Sequence, residues 1–146
     1  EEKLAQQAYR QFVREEKTHD LTRFVEFTGV VPEEKTIQAA YRTLAKRNKF
    51  GDSFSEVQKV TGIAPRPETV QTAYSVIVDR KESIWEFYLQ RVFKETGVVP
   101  SQDVVQKAYE TCARLGHIDK FNELYDTFKV QPSQETRKAL ESFLKS

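Results

Sequence analysis

Apolar residues recur along this chain at helical spacing. Ile37, Ala40, Tyr41 and Leu44 follow an i, i+3, i+4, i+7 order, and Val105, Ala108, Tyr109 and Cys112 repeat it. Shorter stripes of the same kind run through Leu21, Phe24, Val25 and Thr28, and through Phe121, Leu124, Tyr125 and Phe128. A richer one runs through Ile84, Trp85, Tyr88, Leu89, Val92 and Phe93. No stretch alternates with the two-residue period of a strand. The pattern predicts eight helices in four antiparallel pairs and a ninth from about Ser133 to Leu144. The ninth is expected to bury Ala139, Leu140, Phe143 and Leu144.

The segments between the stripes supply stop and start signals. TGVVP at 28–32 returns as TGIAP at 61–65 and TGVVP at 96–100. Gly29, Gly62 and Gly97 stand where a left-handed residue ends a helix, with Val30, Ile63 and Val98 placed for the apolar contact that accompanies such a cap. Pro32, Pro65, Pro100 and Pro132 block continuation of the finished helix. Ser101 and Ser133 follow prolines and are expected to cap the next helix. Ser53 with Glu56, and Ser83 with Glu86, have the spacing of a capping box.

The same punctuation reveals a repeat. Gln-x-Ala-Tyr begins at Gln6, Gln38, Gln71 and Gln106, a period of about 33 residues, with a degenerate copy at Arg137-Lys138-Ala139-Leu140. That period is the signature of paired helices stacked as an α-solenoid. The expected organisation is one helical-repeat domain over 1–146. Its units span about 1–32, 33–65, 66–100 and 101–132, and a capping helix covers 133–146.

Composition fits such a chain. Of 146 residues, 38 % are hydrophobic and 31 % charged, which suits a surface-rich helical protein better than a sphere around one large core. No apolar run approaches the ~18 residues of a membrane span. With 23 basic and 22 acidic residues, the net charge of +1 gives no footprint for nucleic acid. The single cysteine precludes an internal disulfide.

Candidate chemistry is sparse. The Gly-x-x-Pro loops have one glycine each and lack the Lys-Ser/Thr of a phosphate cradle. His19 and His117 are the only histidines, too few to complete a zinc site with Cys112. His117, beside the turn at Gly116, is expected to face solvent. Cys112 occupies the slot of Leu44 and reads as a small core residue. No catalytic residue, cofactor-binding residue or metal ligand is therefore assigned, and the chain is read as non-catalytic. The repeated glutamines fall beside the apolar stripe, where they are expected to line one continuous surface for a partner. The partner-binding set is Gln6, Arg10, Gln38, Arg42, Gln71 and Gln106, with Trp85 and Tyr88 marking a competing face.

Two family resemblances bear on function. QKAYETCARLGHIDKFNELYDTFKVQP, from Gln106, resembles a pentatricopeptide repeat, with Gln106 at the first base-reading position and Gly116 at the inter-helix glycine. Glu33, Arg66, Ser101 and Ser133 follow the prolines, where that family usually carries Asn or Asp. This resemblance implies the alternative of an organellar RNA-binding protein. A generic protein–protein scaffold is a further alternative.

VPEEKTIQAAYRTLAKRNKF, residues 31–50, resembles the subunit Va family of mitochondrial cytochrome c oxidase. The residues that carry it are Val31, Pro32, Glu33, Lys35, Ile37, Ala39, Ala40, Arg42, Asn48 and Phe50, and it extends over roughly the first 100 residues. It implies a right-handed superhelix that holds no haem or copper. The implied role is a structural, accessory subunit on the matrix side of the mitochondrial inner membrane. There it would pack against other oxidase subunits, especially the matrix part of subunit IV. The start at Glu1 and the absence of methionine fit a cleaved import signal, and fit a piece cut from a longer chain equally.

Overall fold

The structure, a computed structural model, describes residues 2–47, 52–79 and 85–145; the side chains of residues 52, 53, 85–87 and 143 are set aside. Among the described residues the fold is all-α, with no strand. The helices are α1 (Glu2–Arg14), α2 (Thr18–Thr28), α3 (Glu34–Lys46), α4 (Asp52–Thr61), α5 (Pro67–Asp79), α6 (Trp85–Thr96), α7 (Gln102–Leu115), α8 (Ile118–Phe128) and α9 (Gln134–Lys145). Among the described residues, nine helices stand where periodicity placed them. The chain groups into two compact units, Glu1–Val76 and Ile77–Ser146, dividing within α5.

In the first unit, α1 packs on α2 and on α3, and α2 and α3 both pack on α4. First helices therefore stack on first helices, and second on second. The apolar stripe is the reason: Ile37, Ala40, Tyr41 and Leu44 are all 2 % exposed or less. Ring edges lock the layers, with Tyr9 against Phe24 at 5.7 Å and Tyr41 against Phe54 at 5.5 Å between centroids.

In the second unit, α7 packs on α8 and α9, and α6 packs on α8. Val105, Ala108, Tyr109 and Cys112 are buried, as are Leu89 and Val92. Phe121 lies 4.6 Å from the Tyr109 ring. Tyr125, expected inside, is 38 % exposed, with the Lys129 ammonium 5.7 Å from its ring.

The expected burial of Ala139, Leu140 and Leu144 in α9 is not met, and the Phe143 side chain lies outside the described residues. Ala139 is exposed, Leu140 half-buried and Leu144 58 % exposed, and the buried residue is Thr136. Thr136 is buried where α9 packs on α7, and Ala139 lines an open hollow between the two helices.

The helix ends follow cap chemistry. Gly29, Gly62 and Gly97 have φ of 71°, 73° and 71°, which an L side chain reaches only with strain. Ser101 Oγ accepts from the Val104 amide at 3.4 Å, and Ser133 Oγ from the Thr136 amide at 3.2 Å. The box expected between Ser53 and Glu56 rests on the Ser53 side chain, which lies outside the described residues. The Glu56 carboxylate receives the Thr22 hydroxyl at 2.6 Å and lies 3.2 Å from His19 Nδ1, tying α4 to α2. Ser83 lies outside the described residues.

Helix α8 ends without a glycine. Lys129 takes the left-handed position at φ 58°, and its amide donates to Tyr125 O at 2.8 Å. Lys129→Gly is expected to stabilise the protein by about 0.5–1 kcal/mol. Relief of strain exceeds the exposed cation–π contact that is lost. A raised thermal midpoint checks this.

Candidate functional site

The repeated glutamines point into the chain's own loops. Gln6 Nε2 donates to Val31 O at 2.9 Å, and Gln6 Oε1 accepts from the Glu33 amide at 3.0 Å. Gln38 does the same with Ala64 O at 2.9 Å and the Arg66 amide at 3.1 Å. Gln106 repeats it with Gln131 O and the Ser133 amide, both at 2.8 Å. The bonded groups are always the carbonyl before a proline and the N–H after it. Proline contributes no N–H, so the two polar groups flanking it need an outside partner. A primary amide is the side chain that supplies a donor and an acceptor together.

The tyrosine three residues on reaches the same loop. Tyr9 Oη donates to Val30 O at 2.6 Å, Tyr41 Oη to Ile63 O at 2.7 Å and Tyr109 Oη to Val130 O at 2.6 Å. The threonine of TG(V/I) closes the end of the second helix. The hydroxyls of Thr28, Thr61 and Thr96 donate to the carbonyls of Phe24, Val57 and Val92 and accept from the amides of Val30, Ile63 and Val98. Burial pushes the Tyr41 hydroxyl well above the ordinary tyrosine range, partly offset by its bond with Thr61. Burial also pushes Tyr109 up to about 12, with Cys112 adding to the effect.

These bonds redistribute the expected partner-binding residues. Gln6 is 8 % exposed and Gln38 2 %, and each amide holds a loop rather than lining a surface. Gln106 is half-buried with the same bonds, so the pentatricopeptide base-reading position is occupied by a brace. Gln71 is half-buried on α5. Arg10 and Arg42 alone of the set are exposed and border a groove.

That groove, about 300 Å³, runs between α1 and α3. Its walls carry Arg10, Arg14, Lys35 and Arg42 against one acid, Glu33, and its floor is Val13, Thr36 and Ala39. Arg10 Nη1 is 3.8 Å from Glu33 Oε1, and Arg14 Nη2 donates to Gln11 Oε1 at 2.6 Å. Among the described residues, Lys35, Arg42 and Lys46 have no acidic group within 4 Å. A smaller hollow beside Arg42 and Lys46 continues the basic edge toward Thr69 and Thr72 on α5.

The second unit has a larger hollow, about 440 Å³, between α7 and α9, with different charges. Glu110, Glu135 and Ser142 stand in the places of Arg10, Lys35 and Arg42, while Arg114, Thr136 and Ala139 match Arg14, Thr36 and Ala39. The groove is thus a product of the repeat, and its basic character is particular to the first unit.

Little else offers chemistry. His117 was expected in solvent but is half-buried, and its Nδ1 is buried without a bonding partner among the described residues. It sits at the start of α8, where the tight turn from Gly116 folds the ring inward. Cys112 is fully buried, as its slot required. Among the described residues no three His, Cys, Asp or Glu side chains gather to hold an ion. No described helix is long and apolar enough to cross a membrane. No protein-family model matches the chain, and no curated protein matches it.

Proposed function

We propose that this chain is a non-catalytic binding scaffold, and that the assembly it serves is cytochrome c oxidase on the matrix face of the mitochondrial inner membrane. The observation that supports the scaffold reading is the repeated glutamine–tyrosine brace. The most regularly repeated polar side chains fix the angle between successive hairpins. Rigid hairpins present a preorganised surface, which lowers the ordering cost of binding.

The choice of assembly rests on the resemblance of residues 31–50 to the oxidase subunit Va family. Its matching residues Pro32, Glu33, Ile37 and Ala40 belong to the joint and the core. They support a shared framework, and function lives in the sites a framework carries. The mechanism is packing: the chain buries a preformed face against neighbouring subunits, the matrix part of subunit IV among them.

Affinity isolation of the tagged full-length chain from gently solubilised native membranes tests this. Haem absorbance and oxidase subunits are expected to co-elute, as read by spectroscopy and mass spectrometry. An intact oxidase preparation lacking the chain would overturn the assignment to this assembly.

A further inference from the structure

We propose that the α1–α3 groove is a docking site for an acidic peptide segment of a partner protein. The inference rests on the scaffold reading and names the chemistry of its contact.

Three observations carry it. The groove has four cationic side chains and one anionic one along its walls. Lys35, Arg42 and neighbouring Lys46 have no acidic group within 4 Å among the described residues, so no ion pair need break before a ligand carboxylate arrives. The corresponding groove between α7 and α9 carries Glu110 and Glu135 with the single cation Arg114. Stacked first helices alone therefore do not produce a basic groove; the side chains of the first unit do.

The choice of a peptide over a nucleic acid follows from the lining. Single-stranded nucleic acid is held by aromatic faces on which bases stack, together with cations on the phosphates. The floor here is Val13, Thr36 and Ala39, with no ring among the lining residues. Glu33 on one wall, and Glu68 beside Lys46, would repel a continuous phosphate backbone. A peptide meets these demands differently. Its carboxylates are spaced by residues without charge, and each guanidinium offers a planar fork that fits one carboxylate. Small apolar side chains between the acids fit over Val13 and Ala39. Arg10 exchanges its long 3.8 Å contact with Glu33 for a peptide carboxylate.

Fluorescence anisotropy on the full chain tests the proposal. The probe is a fluorescein-labelled peptide of alternating Glu and Leu; the same peptide with Gln for Glu is the control. The acidic probe is expected to bind, to weaken as salt rises, and to weaken roughly tenfold or more in R10E/R42E. R10Q/R42Q, which adds no new charge, is expected to show a smaller loss in the same direction. R114E, in the other groove, is expected to leave binding unchanged. The substituted arginines are exposed, so an unchanged circular-dichroism melt is expected to accompany each variant.

Equal affinity for the Gln peptide, no binding of the acidic probe, or displacement of it by oligouridylate more readily than by unlabelled peptide would each overturn the proposal. A chain that ignores the peptide yet still co-elutes with oxidase removes this inference and leaves the scaffold reading standing. A chain that binds the peptide but never co-elutes does the reverse for the oxidase assignment.

Discussion

Gln38→Ala is expected to destabilise the protein by about 2–3 kcal/mol. The side chain is 2 % exposed, and its removal takes partners from both Ala64 O and the Arg66 amide. Ala64 and Arg66 are themselves exposed residues, so water recovers part of the loss and the figure stays below the sum of two orphaned groups. Gln38→Glu separates the two bonds. A carboxylate still accepts from the Arg66 amide but confronts the Ala64 carbonyl with a second oxygen. The variant is expected to be weak at neutral pH and to recover partly in mild acid, where a protonated carboxyl restores the donor. Urea unfolding with an unchanged slope is the measurement. A loss below about 0.5 kcal/mol for Gln38→Ala, the range of ordinary surface changes, would mean the brace is incidental.

The second large effect is loss of stability at high pH. Tyr109 titrates at about 12 in the folded chain against an ordinary value of 10.0, because burial disfavours its phenolate. Tyr41 is shifted in the same direction by the same cause. Below pH 10 both rings are neutral whether the chain is folded or not, and their contribution is fully present. Above that pH the unfolded chain releases protons that the folded chain retains, so stability falls until the folded hydroxyl also ionises, at about 12 for Tyr109. Tyr109 alone accounts for roughly 2 kcal/mol over this window. Denaturant midpoints measured between pH 9 and 12 are expected to drop steeply above pH 10. In Tyr109→Phe the drop is expected to be shallower, on a baseline lowered by the loss of the bond to Val130 O. A flat profile to pH 12 would show that the ring is not held as described.

The architecture was legible because each helix carries its own instructions. The stripe of Ile37, Ala40, Tyr41 and Leu44 and the caps at Gly29, Gly62 and Gly97 are local signals, and the helices begin and end beside them. What was not legible depends on partners distant in sequence. Gln38 answers a carbonyl and an amide that follow it by 26 and 28 residues, and backbone groups leave no mark in a sequence. One signal did exist. Gln38 lies on the same helical face as Tyr41 and Ala45, and a glutamine on a buried face must find its bonds inside the chain. Glu56, too, answers a partner distant in sequence. Its spacing from Ser53 fits a local box, and Thr22 on the facing helix holds its carboxylate. At the fourth joint, Lys129 adopts the glycine conformation without being glycine, because the bonds of Gln106 and Tyr109 hold the loop there. The groove arginines were picked out with the glutamines as one row. Only the packing of α1 on α3 separates side chains that brace the joint from those that face outward.

Native-state hydrogen exchange at the Arg66 amide tests the brace most directly. Arg66 is an exposed residue following Pro65, just ahead of α5, where an N–H has no partner within its own helix. In the wild-type chain this amide is expected to be protected, because Gln38 Oε1 accepts from it at 3.1 Å, and in Gln38→Ala the protection is expected to vanish while the amides of α3 keep theirs. Exchange at the free-peptide rate in the wild type, or protection unchanged by Gln38→Ala, would contradict the claim that the repeated glutamines hold the joints of this scaffold.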